Sequence, residues 1–272
     1  MSLSFLFWNI GRKPLAESVA QLARERDVDV LVLAESRIEP IELLVKINAN
    51  HERKFCLPHR LNPRLDILVR LPPSSLQIVT DTEGVSIRHV TPPIGQSVLL
   101  VAVHLTSKLY MSDDELGYLA TRLPASIEEA EVRVGHDRTI VIGDFNMNPY
   151  EQGLAGSEGL HAVMTRDIAA KGHRQVHGQK RRFFYNPMWG LFGDKSERPA
   201  GTYHFDRSGR PLNFYWNMFD QVLLRPSLLP AFRHENLDII TSIGEQALLS
   251  DGIPNAKEFS DHLPLFFRLM PH

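Results

Sequence analysis

Six short apolar runs limit what this chain can fold into, because each is nearly unbroken and each abuts a residue able to do chemistry. Asn9 follows Phe5–Trp8, Glu35 follows VLVLA, and His104 follows VLLVAV. Asp144 and Asn146 follow TIVIG, Asp220 opens a QVLL run, and Asp261-His262 precede LPLFF. Apolar runs of this length, rich in β-branched residues, read as strands of a buried sheet. A single Asp after a strand is most often a turn former. Six polar strand ends in one chain instead describe a sheet that presents a site at its rim.

Between the runs the texture alternates. Strands are expected at Ser4–Ile10, Val28–Ala34, Asp66–Leu71, Gly84–Val90, Ser97–His104 and Thr139–Gly143, then at Phe219–Leu224, Asp238–Ile243 and Leu263–Leu269. Pro14 stands where a helix N1 proline belongs, with Leu15, Val19 and Leu22 following at helical spacing. Ser112 and Glu115 form a capping box that opens a helix to about Val134, with a break or kink expected at Pro124. Residues 151–210 lose periodicity and read as long loops with one or two short helices. Strands return after them and no linker or repeat intervenes. The expectation is therefore one α/β domain over 1–272, with 151–210 draped over one face as substrate-facing loops.

Composition removes several function classes. The 272 residues carry 30 Lys+Arg against 32 Asp+Glu, so bulk positive charge does not dominate binding. The one cysteine, Cys56, rules out an internal disulfide framework and a Cys-rich zinc site. The N-terminal apolar stretch is short and lacks a basic leader, and the run Val98–Val103 is too short to span a bilayer. A soluble, cytoplasmic protein with no membrane partner is expected.

The residue types then suit one reaction. Glu35, Asp144 and Asp261 are hard oxygen ligands for Mg²⁺, and Asn9 and Asn146 are neutral ones. His104 and His262 can move protons near neutral pH, and Asp220 could hold an imidazole in the needed tautomer. The chain has no G-x-S-x-G elbow, no phosphate-cradling G-x-x-x-x-G-K-[ST] loop and no H-E-x-x-H helix. Carboxylates and histidines without a covalent nucleophile fit metal-assisted attack of water on a phosphorus ester.

The ordered segments W-N-I (Trp8–Ile10), L-A-E-S (Leu33–Ser36), V-H-L (Val103–Leu105), I-G-D-F-N-M-N-P (Ile142–Pro149), F-D-Q-V-L (Phe219–Leu223) and F-S-D-H-L-P-L (Phe259–Leu265) resemble the endonuclease/exonuclease/phosphatase superfamily. The G-D-F-N and S-D-H pairs are specific, and the others gain weight from their order. The resemblance implies a deoxyribonuclease-like, four-layer fold, a two-sheet α/β sandwich flanked by helices. It implies Glu35 as the main Mg²⁺ ligand, with Mn²⁺ as a substitute, Asn9 beside it and Asp261 as a further metal-side carboxylate. Asp144 positions or deprotonates water, and Asn146 contacts the scissile phosphate or a metal. His262 pairs with Asp220, and His104 binds phosphate or protonates the leaving oxygen. L-A-E departs from the more frequent L-Q-E by losing a flanking amide.

The substrate is read from charge distribution. Residues 166–182 hold six basic side chains against Asp167 alone, and Phe183, Phe184, Tyr185 and Trp189 follow. Basic groups beside aromatics suit nucleic acid, which makes Lys180, Arg181 and Arg182 candidate substrate contacts. A solvated basic loop whose aromatics pack into the core explains the same residues. Tyr203 in G-T-Y-H is either a substrate-side residue or plain packing. The expectation is a Mg²⁺-dependent nuclease acting on DNA or RNA. A phosphatase or phosphodiesterase for a small or lipid phosphoester is one alternative, and a catalytically inactive nucleic-acid-binding module is another.

Overall fold

In the computed structural model, the described residues are 2–49, 53–57, 62, 64–106, 113–194, 199–206, 209 and 213–271, with side chains of the helix starting at 113 described from 122 onward. Ser112 and the Glu115 side chain, the expected capping box, lie outside them. Seven strands appear in the first 144 residues: β1 (Leu3–Asn9), β2 (Val30–Ala34), β3 (Leu65–Val69), β4 (Leu76–Thr82), β5 (Val85–Val90), β6 (Val98–His104) and β7 (Thr139–Asp144). Three helices accompany them: α1 (Ala16–Glu25), α2 (Pro40–Asn48) and α3 (Asp113–Val134).

Two mixed sheets form. The first runs in the order Phe232–Ile239, Leu265–Leu269, β1, β2, β3. The second runs β4, β5, β6, β7, Asp220–Leu224, Phe184–Tyr185, Ala162–Val163. Period-2 alternation decides which core each side chain joins. From β6, Leu100 and Ala102 join the larger core between the sheets, together with Ile142 and Val222. Leu99, Val101 and Val103 point the other way, onto Leu123, Ile127 and Ala130 of α3. Both faces of the second sheet are therefore buried, as its unbroken apolar runs require.

Several expectations shift. Pro14 stands ahead of the helix, whose N-cap position is Leu15, so it is not an N1 residue. Helix α3 runs through Pro124 without interruption, and Leu123, Ile127 and Ala130 beside and beyond it pack against the sheet. Among the α-helices and strands of the first 144 residues, two escape the sequence reading. One is α2; the other is β4, an edge strand whose middle residues are exposed or half-buried and give no apolar run. Residues 151–210 are also more ordered than loops. They contribute Ala162–Val163 and Phe184–Tyr185 to the second sheet and form a hairpin, His173–Val176 with Gln179–Arg182. No helix among the described residues is long and apolar enough to cross a membrane.

Away from the polar strand ends, His136 ties the end of α3 to the sheet. Its Nδ1 accepts the Arg138 backbone N–H at 3.2 Å. The ring proton of the neutral form is therefore on Nε2, which lies 3.3 Å from His89 Nε2 and 3.1 Å from Ser97 Oγ. Burial, with the Arg138 charge adding to it, pushes His136 down to about 4. The unfolded chain takes up the proton first, near pH 6.5. This contribution is therefore complete above that value and is lost as the pH falls toward 4. Urea midpoints measured at pH 7 and 4.5 should drop less for His136→Asn than for the wild type; equal drops would show that the imidazole is not buried in this way.

Candidate active site

Strand register assembles the site. β6 and β7 run parallel with His104 beside Asp144, and Asp220 is the antiparallel partner of Asp144. Three titratable side chains thus stand abreast at one end of the second sheet. In the first sheet, parallel β1 and β2 pair Asn9 with Ala34, which puts Glu35 one residue beyond. A hydrogen bond from Asn9 Nδ2 to Asp144 Oδ2 (3.0 Å) joins the two sheet ends.

The chain is bent locally to reach this arrangement. Glu35 and Asn146 adopt positive φ of 51°, and Arg12 one of 63°, a conformation that side chains rarely take and that collects at functional sites. Gly143 supplies the close approach of β6 and β7, since a Cβ there would collide with the Val103 carbonyl oxygen. This is the physical reason for glycine in the G-D-F-N segment.

The proton-handling part is a chain of three groups. His262 Nδ1 lies 2.8 Å from Asp220 Oδ2, and His262 Nε2 lies 3.9 Å from Asp144 Oδ2. Burial works against charge on His262, but Asp220 and Asp144 outweigh it and raise its pKa well above the usual imidazole range. The two carboxylates thus favour a proton on the ring, while burial raises the Asp220 pKa as well. Its mounting is equally specific. Trp8 Nε1 donates to the His262 carbonyl at 2.9 Å, Thr202 Oγ1 accepts the Asp220 N–H at 3.0 Å, and Ser260 Oγ accepts the His262 N–H at 3.1 Å. Asp144 Oδ1 accepts the Asn146 N–H at 2.8 Å, and Asn146 Nδ2 is spent on the Leu105 carbonyl.

Glu35 forms the second part. His104 Nε2 approaches it at 3.5 Å and Arg12 Nε at 3.2 Å. The bond to His104, against some desolvation, together with the His104 and Arg12 charges, pulls the Glu35 carboxyl down to about 2. His104 Nδ1 is buried with no hydrogen-bond partner. Asp261 lies beside Gly11, its Oδ1 3.3 Å from where a Cβ on that glycine would stand. Ser260 Oγ, 3.4 Å from the same oxygen, donates to the Asn9 carbonyl. Glu35, Asn9 and Asp261 offer oxygen donors around this rim, of which Asn9 Oδ1 accepts the Gly11 N–H at 3.0 Å, and oxygen donors suit a hard divalent cation. Asp144, Asp220 and His262 also place one ligand atom each within 4.8 Å of one another. Their hydrogen bonding marks them as a relay instead, because Asp220 already occupies His262 Nδ1.

Of the predicted residues, the structure therefore brings together Asn9, Glu35, His104, Asp144, Asn146, Asp220, Asp261 and His262. Tyr203 joins them, its ring 4.6 Å from that of His262 and its backbone bridged to that residue. Lys180, Arg181 and Arg182 are not brought there. Arg182 pairs with Glu131 (2.5 Å) and Asp137 (2.6 Å), and Glu131 in turn accepts from Thr139 Oγ1 and Arg225 Nε. Thr139 opens β7 and Asp144 closes it, about 17 Å away by strand rise, so Arg182 is tied to the end of β7 opposite the site. Arg181 pairs with Glu158, and Lys180 is exposed on the same hairpin. Phe183, Phe184 and Tyr185 are buried, with Arg225 stacked 3.9 Å over Phe184. Sequence reasoning missed Arg12, Thr202 and Ser260, whose roles depend on partners far along the chain.

This arrangement makes Arg182 a stabilising residue. Arg182→Ala should lower unfolding free energy by about 1–2 kcal/mol, because Glu131 is buried and keeps Arg225 as its other cation. Nucleic-acid affinity should change little. Unchanged stability with weaker binding and a flatter salt dependence would instead put this arginine on a phosphate.

A profile of the Endonuclease/Exonuclease/phosphatase family matches residues 6–262. No curated protein sequence is a significant match. Similar solved structures include D. rerio TDP2 complexed with a single-strand DNA product, 18% identical at a TM-score of 0.54 with 98% of each chain covered. ANGEL2, a 2',3'-cyclic phosphatase, is 15% identical at a TM-score of 0.60, covering 98% of this chain and 95% of that one. A family protein from Leptotrichia buccalis is 12% identical at 0.54, covering 98% and 99%. These likenesses show a shared two-sheet, deoxyribonuclease-like fold.

Proposed function

This chain belongs to the endonuclease/exonuclease/phosphatase family, and on that footing we propose that it is a divalent-metal-dependent phosphodiester hydrolase, acting as a nuclease on DNA or RNA. One observation carries the reading: the Asp220–His262–Asp144 relay opens beside Glu35, Asn9 and Asp261 where the ends of both sheets meet. Glu35, Asn9 and Asp261 would hold the ion, Mg²⁺ or Mn²⁺. When bound, it supplies charge neutralisation on the phosphoryl oxygens. Asp144, oriented by Asn9 and the Asn146 N–H, takes the proton of the attacking water. The His262 imidazolium, held by Asp220, donates to the oxygen on which charge grows. His104 faces Glu35 and serves the phosphate or the leaving oxygen. Asn146 keeps the turn that aims Asp144. Residues 1–272 work as one catalytic domain, which the pairing of β1 with Leu265–Leu269 supports.

A second reading, hydrolysis of a small phosphoester, is favoured by the placement of the basic hairpin away from the site. An inactive binding module is disfavoured because every catalytic-type position is filled. Plasmid, single-stranded DNA, RNA, a 2',3'-cyclic nucleotide and bis-p-nitrophenyl phosphate, each with Mg²⁺ and with EDTA, separate the three. Metal-dependent cleavage of a polynucleotide is expected. Turnover of the cyclic nucleotide alone would favour the second reading, and no turnover of any substrate the third.

A further inference from the structure

Exposed rings are expensive to leave in water, and their placement here is uneven. Four aromatic side chains stand out as exposed among the described residues: Phe214 and Tyr215 (51% each), Tyr150 (40%) and Phe205 (37%). All four belong to segments that also carry site residues. Tyr150 lies four residues past Asn146, and Phe205 lies two past Tyr203 on the same face of its strand. Phe214 and Tyr215 lead toward Asp220. Contacts bind these segments into one rim. Tyr203–Phe205 pairs in register with Tyr215–Asn217, and Asn148 Nδ2 donates to Asn217 Oδ1 at 2.9 Å.

The rings are ordered outward from the relay. Tyr203 lies 4.6 Å from His262, and Phe205 lies 6.3 Å beyond Tyr203 and nearly parallel to it (15°). On the other side, Tyr150 packs 5.6 Å from Phe214 and 6.3 Å from Phe192. Tyr215, the register partner of Phe205, is held at a strained φ of 58°, with its ring 6.4 Å from that of His204. Arg12 is engaged by Glu35.

We propose that Tyr150, Phe205, Phe214 and Tyr215 form a stacking surface for unstacked nucleobases, so that the phosphodiester is delivered by a single-stranded nucleic acid. This rests on the phosphodiester-hydrolase reading above. What flanks a phosphodiester on such a strand is a base on either side, and every base offers a face to an aromatic ring. The difference in affinity between an intact and an abasic strand is carried by stacking, because the two present the same phosphates. Duplex bases are already stacked and gain nothing here.

The test is fluorescence anisotropy in EDTA with three labelled probes: a ten-nucleotide single-stranded DNA, the same backbone with abasic residues throughout, and a blunt duplex. Wild type should bind the intact strand at least about tenfold more tightly than the abasic one or the duplex. Phe214→Ala and Tyr150→Ala should each weaken binding to the intact strand by about tenfold and leave the abasic strand unaffected. Phe214→Leu, which keeps bulk and apolarity, guards against misfolding and should still lose most of that affinity. Equal binding of intact and abasic strands, no binding of either, or variants that bind as wild type would overturn the proposal. Wild-type hydrolysis of bis-p-nitrophenyl phosphate, measured alongside, tells the two failures apart. With metal-dependent turnover present only the stacking surface falls, and without it the phosphodiester reading falls.

Discussion

Replacing His262 with Ala, or Asp220 with Asn, is expected to lower kcat by about three to four orders of magnitude, and the double variant should lose little more than the worse single one. The reason is geometric. Asp220 is fully buried, and its 2.8 Å contact with His262 Nδ1 is what stabilises the ring's positive charge against desolvation. Asparagine keeps the shape but removes the negative charge that holds the proton on the ring, so His262 stays in place but loses the proton it would donate. Without His262, Asp220 has nothing to orient. Each residue therefore acts only through the other, and the second loss has no separate effect to remove. Turnover of bis-p-nitrophenyl phosphate by the four proteins, each with an intact far-ultraviolet spectrum, measures this directly. Losses that multiply would show two independent contributions and dissolve the relay.

The legibility of this chain followed the burial of its strands. β6 and β7 are enclosed on both faces, so their sequences are apolar throughout and their polar ends stand out. Those ends are His104 and Asp144, and they fall at the site. Edge strand β4 has no such enclosure, and its exposed and half-buried residues left no run to read. α2 was missed for a related reason, since Ile41 and Val45 are exposed and blur the amphipathic stripe made by Leu43 and Ile47.

The substrate side was harder, because local charge does not say what a charge faces. The six cations of residues 166–182 look like a phosphate track in sequence. In the fold, Arg181 and Arg182 meet Glu158, Glu131 and Asp137, acids up to 51 residues away in the chain. Arg12 illustrates the converse. It sits in an unremarkable G-R-K stretch, yet a left-handed turn brings its guanidinium to Glu35. Neither relation has a local sequence signal, because both are set by how strands from distant segments are ordered in the sheets.

Glu35→Gln is expected to weaken divalent-cation binding by at least about a hundredfold while leaving the fold unchanged. Outer-shell partners of metal ligands already cost ten- to a hundredfold when lost, and Glu35 would be a ligand itself. The carboxylate is ionised and so able to take a cation. Hydrogen bonding to His104, with the Arg12 guanidinium beside it, drives its pKa to about 2, so it is ionised throughout the physiological range. Glutamine preserves the side-chain volume at this half-buried position and the backbone turn at a φ of 51°, but offers only a neutral oxygen. Two readouts that do not depend on catalysis check this. Free Mn²⁺ in an electron paramagnetic resonance titration should remain high with the variant, and the rise in unfolding temperature that saturating Mn²⁺ gives the wild type should largely vanish. Mn²⁺ bound as tightly by the variant as by the wild type would move the ion away from Glu35. The neighbouring donors would then have to be reassigned, with the Asp144, Asp220 and His262 ligand atoms, all within 4.8 Å of one another, as the place to look.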